Sequence, residues 1–378
     1  MELREYISKK TNLYDSLLSI IESEETNESD CINQILTDQI DSKQYLNDRN
    51  DIGEFLKIIS KISNNHHRDF NFIQKIEQIL LHYQNKIKQS FSNFEIFNFF
   101  NKNKRIILSL FDNQIITLDE NILSFFMSES DISPFQYNFF FCTEILKYHS
   151  ETNKMLNDED PSLLEEFMKK RKIGENDSMI CEMIRNDSIE SFVSYVNRAN
   201  YPLTSLIEPS LYETNNFLIN NEVSLIEYAA FFGSIKIFQY IIKNCNCLNS
   251  SLWLYAIHSG KAEMIHLLEQ NGVEPPDGKY SRCIKEAIKC HHNKIANYIQ
   301  INLMDEKDEI FQNEGNFNDN ICLYSFRSYN YDFIPESLNH EFLFFYLCRY
   351  NYINLVQVLL QNEKVDVNRK LVLIFFLK

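Results

Sequence analysis

An internal repeat in the second half of the chain restricts its fold more than any other feature. The segment Ser224-Leu225-Ile226-Glu227-Tyr228-Ala229-Ala230-Phe231-Phe232-Gly233 is followed by Ile237-Phe238 and Ile241-Ile242. This is a helix with small residues, a glycine turn and a second apolar helix. The pattern returns as Tyr255-Ala256-Ile257, Gly260, Met264-Ile265 and Leu267-Leu268, with Ala229 to Ala256 and Gly233 to Gly260 both 27 residues apart. A third copy has Ala287-Ile288, His291 in the glycine place, Ile295-Ala296 and Tyr298-Ile299, its Ala287 lying 31 residues after Ala256. A two-helix unit of this size cannot bury its own apolar face. Stacked on its neighbours it forms an elongated array with a continuous core.

Further units extend the series. One lies at 341–368, with Leu347, Tyr350, Ile353, Leu355-Val356 and Leu359-Leu360; a faint one at 177–200 is separated from 223–249 by an insertion at about 201–222; an eroded one falls at 310–338. With 250–276 and 281–303 these make up a repeat region from 174 to 368. Residues 1–172 also carry apolar residues at helical spacing, as in Leu13, Tyr14, Leu17, Leu18, Ile21 and in Ile52, Phe55, Leu56, Ile59, Ile62, which predicts a succession of amphipathic helices. Only seven Gly and seven Pro occur in 378 residues, too few for a hairpin-rich sheet. The fold class expected is all-α: a helical N-terminal region, 1–172, followed by the repeat array. Asp160-Pro161 opens a helix that Lys169-Lys170-Arg171-Lys172 closes at its negative end, and Gly174-Glu175-Asn176-Asp177 reads as the boundary. The four basic residues also admit a nuclear-localisation reading.

The units resemble the ankyrin family. Ser224, Ala229-Ala230, Gly233 and Asn249 fall in place in one unit, and Ala256, Gly260, Leu267-Leu268 and Gly272 in the next. The Thr-Pro-Leu-His opening of that family is intact in none of them. Over Leu225 to Gly233, Leu252 to Glu269 and Glu286 to Ile299 the wording is similar to the large set of trichomonad protist ankyrin proteins with a helical N-terminal region. The resemblance implies a protein-binding scaffold whose concave face is built from inner-helix ends just before the turn. Here those positions are Phe231, Phe232, His258, Ser259, Lys289, Cys290, Arg349 and Tyr350, the expected partner-binding residues. For Phe231 and Phe232 a second reading stands beside it, in which the insertion at 201–222 covers them.

Chemistry-bearing motifs are scarce. The chain lacks a Gly-rich phosphate loop, a Gly-x-Ser-x-Gly elbow and a His-Glu-x-x-His helix, and no catalytic residue, metal or cofactor is expected. Cys290-His291-His292, with Cys283, Cys245 and Cys247, is the most metal-like cluster, but Cys245 and Cys247 are badly spaced for zinc and the two histidines read as polar filler in a turn; His66-His67 reads the same way. Cys142, Cys181, Cys322 and Cys348 fall on apolar helix faces as small core residues. Glu24-Glu25 and Glu165-Glu166 read as solvated charge runs.

A net charge of −16 disfavours nucleic acid and favours a basic protein partner. The nine cysteines show no paired framework, which with the lack of a signal-like N-terminus places the chain in the cytoplasm. The longest apolar runs are far too short to span a bilayer. The apolar end at 369–378 reads as a truncated or continuing array, with docking on a partner as the alternative. An adaptor that recruits other machinery through the N-terminal helices, or an enzyme with a site in 1–172, are the alternatives.

Overall fold

The computed structural model describes residues 3–23, 29–68, 71–128, 137–152, 161–304, 321–334, 344, 347–350 and 352–362. The described residues are helical, and the only extended pairing among them is the bridge between Leu206 and Ser224. The N-terminal helices are α1 (Leu3–Glu22), α2 (Ser29–Leu36), α3 (Arg49–Asn65), α4 (Phe72–His82), α5 (Gln84–Ser90), α6 (Asn93–Phe100), α7 (Lys104–Asp112), α8 (Glu120–Ser128), α9 (Tyr137–Phe140), α10 (Cys142–Thr152) and α11 (Pro161–Ile173). Polar side chains start several of them: Asp48 caps α3, Ser92 and Glu95 form a capping box on α6, and Asn103 caps α7. No helix among the described residues is long and apolar enough to cross a membrane.

From residue 179 onward, helices come in pairs: α12 (Met179–Arg185) with α13 (Ile189–Ala199), α15 (Leu225–Phe232) with α16 (Ile235–Asn244), α17 (Leu252–His258) with α18 (Ala262–Gln270), and α19 (Ser281–Lys289) with α20 (Asn293–Asn302). A short α14 (Asn216–Ile219) lies in the insertion, and α21 (Ile321–Ser328) is followed by a single 3₁₀ turn, Tyr331–Phe333. The first helices of these pairs stack in sequence order, α12 on α15, then α17, α19 and α21. Each first helix ends in the same joint. A residue with positive φ, in turn Asp187, Gly233, Gly260, His291 and Tyr329, reverses the chain. At four of these joints the next backbone N–H returns to the carbonyl five residues back: Ser188 to Met183, Ser234 to Ala229, His292 to Ala287 and Asn330 to Ser325. The same bond, Tyr352 to Leu347, precedes the last helix, α22 (Ile353–Asn362). This closure satisfies carbonyls that a helix end leaves open. The eroded unit therefore keeps its joint at Tyr329 although its sequence pattern is weak.

Two cores form among the described residues, and the chain crosses between them twice. One core contains residues 180 to 321. The other joins the N-terminal helices to the last units, with Phe326, Tyr329, Tyr331, Leu347, Tyr352, Leu355 and Leu359 packed among residues of α1 to α9. Helix α1 lies between them, touching α4 on one side and α22 and the 331–333 turn on the other. The first and last described helices thus share one core; the chain leaves that core between 141 and 180, around the boundary expected at 172/174, and returns to it after 321. The apolar end at 369–378 lies outside the described residues.

The basic run closes α11, with Lys169 and Lys172 exposed, while Arg171 is fully buried and holds the Glu144 carboxylate with both terminal nitrogens, at 2.7 and 2.9 Å. One local expectation is corrected, since not all nine cysteines are unpaired. Cys245 and Cys247 are bonded to each other, and the other seven are free. Of the cysteines assigned to apolar helix faces, Cys181 is buried, Cys142 and Cys322 are half-buried and Cys348 is exposed.

Candidate functional site

The ends of α15, α17 and α19 should form an open concave face, but the N-terminal helices and the insertion lie on it. Asn65 and His66, at the end of α3, meet the array at its centre. The His66 ring stands edge-on to His292 with centroids 4.6 Å apart, and the Asn65 backbone bonds the His258 side chain. Further along, Tyr14 of α1 meets His291, whose Nδ1 is 3.0 Å from the phenol oxygen, and accepts from Asn293 at 3.2 Å. At the other end Arg68 donates to Thr214 and pairs with Glu175, at 2.8 and 3.3 Å. Phe217 of α14 stacks on Phe231 and lies 4.1 Å from His258.

The eight residues expected to bind a partner separate accordingly. Phe231, His258, Ser259 and Cys290 are buried and offer no surface to an outside molecule here; this corrects their reading as open concave-face residues. Phe231 is covered by the insertion, as its second reading has it. Phe232, Lys289 and Tyr350 are half-buried and Arg349 is exposed, its guanidinium 6.0 Å from the Tyr350 ring.

Burial under the N-terminal helices brings together titratable groups from distant segments. His258 Nε2 is 2.7 Å from Glu286, which also receives Lys289 at 2.7 Å. Burial alone would raise the Glu286 carboxyl, but the bonds from His258 and Lys289 outweigh it and hold it at about 2. Burial pushes the His258 imidazole down and the Cys290 thiol up. His291 and His292 are driven well down, first by burial and then by neighbouring His66. Both rings are therefore neutral at ordinary pH.

Cys290, His258 and Glu286 stand in the order nucleophile, base, carboxylate, yet the geometry does not suit proton transfer. Cys290 Sγ is 3.4 Å from Nδ1 and 3.6 Å from Nε2 of His258. A sulfur so nearly equidistant from both nitrogens in the ring plane would overlap Cε1, so it sits over the ring face, away from either lone pair. The raised thiol fits this arrangement, since a nucleophilic cysteine needs an accessible thiolate next to an aligned base.

Among the described residues, two groups of three side chains converge closely enough to hold a metal ion, His258–Glu286–Cys290 and Glu22–His66–His292. Reading the sequence for closely spaced ligand pairs missed the second, because its members come from the end of α1, the end of α3 and the turn before α20. Compared with family models, curated proteins and solved structures, the chain matches none.

Proposed function

We propose that the chain is a protein-interaction scaffold of ankyrin-like units, which holds its own first helices on the inner face and presents the surface around Arg349 and Tyr350 to a separate partner. One observation carries this reading: the same helix and left-handed turn recur from Asp187 to Tyr329, with the return hydrogen bond at four of the five joints and the first helices stacked in order. Arrays of this kind are binding surfaces built on a shared frame. The inner face supports the reading further, since it takes up the helix ends of the N-terminal region through side-chain hydrogen bonds, one unit after another. Arg and Tyr are residue types on which interfaces rely, and a net charge of −16 steers a basic protein toward the chain. Seven of the nine cysteines are free, which supports a reducing, cytoplasmic setting, with the closely spaced Cys245–Cys247 pair as the exception.

The test is co-purification from source-cell extract with the full chain, wild type against Arg349→Ala/Tyr350→Ala, circular dichroism confirming equal helix content. Loss of an anchor pair of this kind costs ~2 kcal/mol or more, so partner recovery should fall more than tenfold. Equal recovery by the two proteins would overturn the proposed surface.

A further inference from the structure

Three Lewis-basic atoms face one another where α1, α3 and the array meet. Glu22, His66 and His292 each place a ligand atom within 4.8 Å of the other two. His66 Nδ1 lies 3.1 Å from the His67 carbonyl oxygen. A carbonyl only accepts, so Nδ1 carries a proton, and in the tautomer that can bind a metal Nε2 presents its lone pair. That Nε2 lies 3.2 Å from Glu22 Oε1, which accepts from it when the ring is protonated and would share a metal with it when the nitrogen is bare. His292 repeats the situation. Its ring is bonded to the His258 backbone, while Nε2, buried, has no hydrogen-bond partner. Carbonyl anchoring of one imidazole nitrogen with the other turned to a common centre is how metal-binding histidines are oriented.

We propose that Glu22, His66 and His292 form a zinc site that fastens the first and third helices to the repeat array. Two imidazoles and one carboxylate are a ligand set that zinc takes with a fourth position left for water. At Zn–N distances of about 2.0 Å and tetrahedral angles, two such rings have centroids roughly 5 Å apart, close to the 4.6 Å between His66 and His292. Glu22 is exposed whereas both histidines are buried, so the ion enters, and its water stands, on the carboxylate side. Carbonyls of the α1 terminus add negative potential there, although Lys75 takes those of Ile21 and Ser23. The neighbouring trio is not the site, because His258 already commits its ring to Glu286 and to the Asn65 backbone. This inference is independent of any partner.

The experiment uses the purified full chain stripped with a chelator, titrated with zinc by calorimetry and with cobalt(II) by absorption spectroscopy. One equivalent should bind, raising the thermal midpoint, and cobalt should give the bands of a four-coordinate nitrogen–oxygen site without thiolate charge transfer. Glu22→Gln, on an exposed residue, and His66→Gln should each weaken zinc binding at least tenfold and abolish the rise in midpoint, whereas Cys290→Ser should change neither. Absence of stoichiometric binding by the wild type, equal affinity in the Glu22 and His66 variants, or loss on Cys290→Ser would each overturn the assignment.

Discussion

Substituting alanine at Gly260 and at Gly272, one at a time, measures how firmly the N-terminal helices are seated on the array. The two glycines have nearly the same backbone conformation, φ +67° and +64°, so an added Cβ carries the same left-handed penalty of about 1–2 kcal/mol at each. Their surroundings differ. Nothing lies within 4 Å of a Cβ at Gly272, whereas at Gly260 it would stand 2.8 Å from Cε1 and 3.2 Å from Nε2 of His292. That ring cannot swing aside freely, being buried, bonded to the His258 backbone and backed by His66. Forcing a methyl group into such packing costs a further ~1–3 kcal/mol. Gly272→Ala should therefore lose ~1–2 kcal/mol and Gly260→Ala ~2–5 kcal/mol, read from equilibrium urea unfolding of the full chain with slopes compared. In a His66→Ala background His292 gains room, and the Gly260 penalty should shrink by ~0.5 kcal/mol or more. Equal losses for the two single variants, or an unchanged penalty without His66, would refute the packing described for this joint.

Two further perturbations test other parts of the frame. Lys10, 1% exposed, holds Asp51 and Glu54, both at 2.8 Å; burial disfavours its charge, but the two carboxylates outweigh this and raise its pKa. Lys10→Met strands those carboxylates and should cost ~3–5 kcal/mol, measured by the same urea unfolding; a loss below ~1 kcal/mol would mean the carboxylates are solvated after all. Glu213 is pushed up to about 8, first by burial and then by Glu175, against the pull of Arg68 and of backbone N–H groups of Asn215 and Asn176. A carboxyl raised in the folded state binds its proton more tightly there than in the unfolded chain. Its contribution to stability is complete below the ordinary value near 4.5 and is lost as pH rises to about 8. Glu213→Gln should flatten the thermal midpoint across that window; an unchanged slope would assign the pH dependence elsewhere.

The array was legible because its joints depend on local chemistry. A left-handed residue is required where each first helix turns back, and glycine at 233 and 260 marks it without reference to the rest of the molecule. His291 could be placed by spacing alone and does adopt φ +61°. Tyr329 could not, because a tyrosine in that conformation is held by its neighbours, stacked on Tyr352 at 4.5 Å, and nothing local announces it. The closing contact was hidden for a similar reason. Helical periodicity says which face of α1 or α3 is apolar but not which distant element covers it. Histidines in a turn read as solvated when each turn is considered separately; here two such turns face each other, and both become buried. Histidine pairs at two helix ends, His66-His67 and His291-His292, were the available sign. The basic run closes its helix as its charge implies, but that Arg171 alone of the four turns inward to Glu144 depends on a distant element and was not legible.

The closed inner face bears on how any partner would act. Several side-chain hydrogen bonds cross from the N-terminal region to the array and its insertion, four of them His291 and Asn293 with Tyr14, Arg68 with Thr214, and Asn216 with the Lys102 carbonyl. At ~1 kcal/mol net each, a molecule that had to displace them to reach His258 or Ser259 would bind about a thousandfold more weakly than to an open face. A ligand that instead used the surface around Arg349 and Tyr350 would not have to displace these bonds. Tyr350 packs against the core that α1 shares with α22, so binding there would bear directly on the elements that hold the inner face closed. A partner that favoured the closed packing of α1 would tighten this arrangement, and one that favoured its release would expose the inner face. The differential affinity for the two packings, not distance along the array, would set the direction.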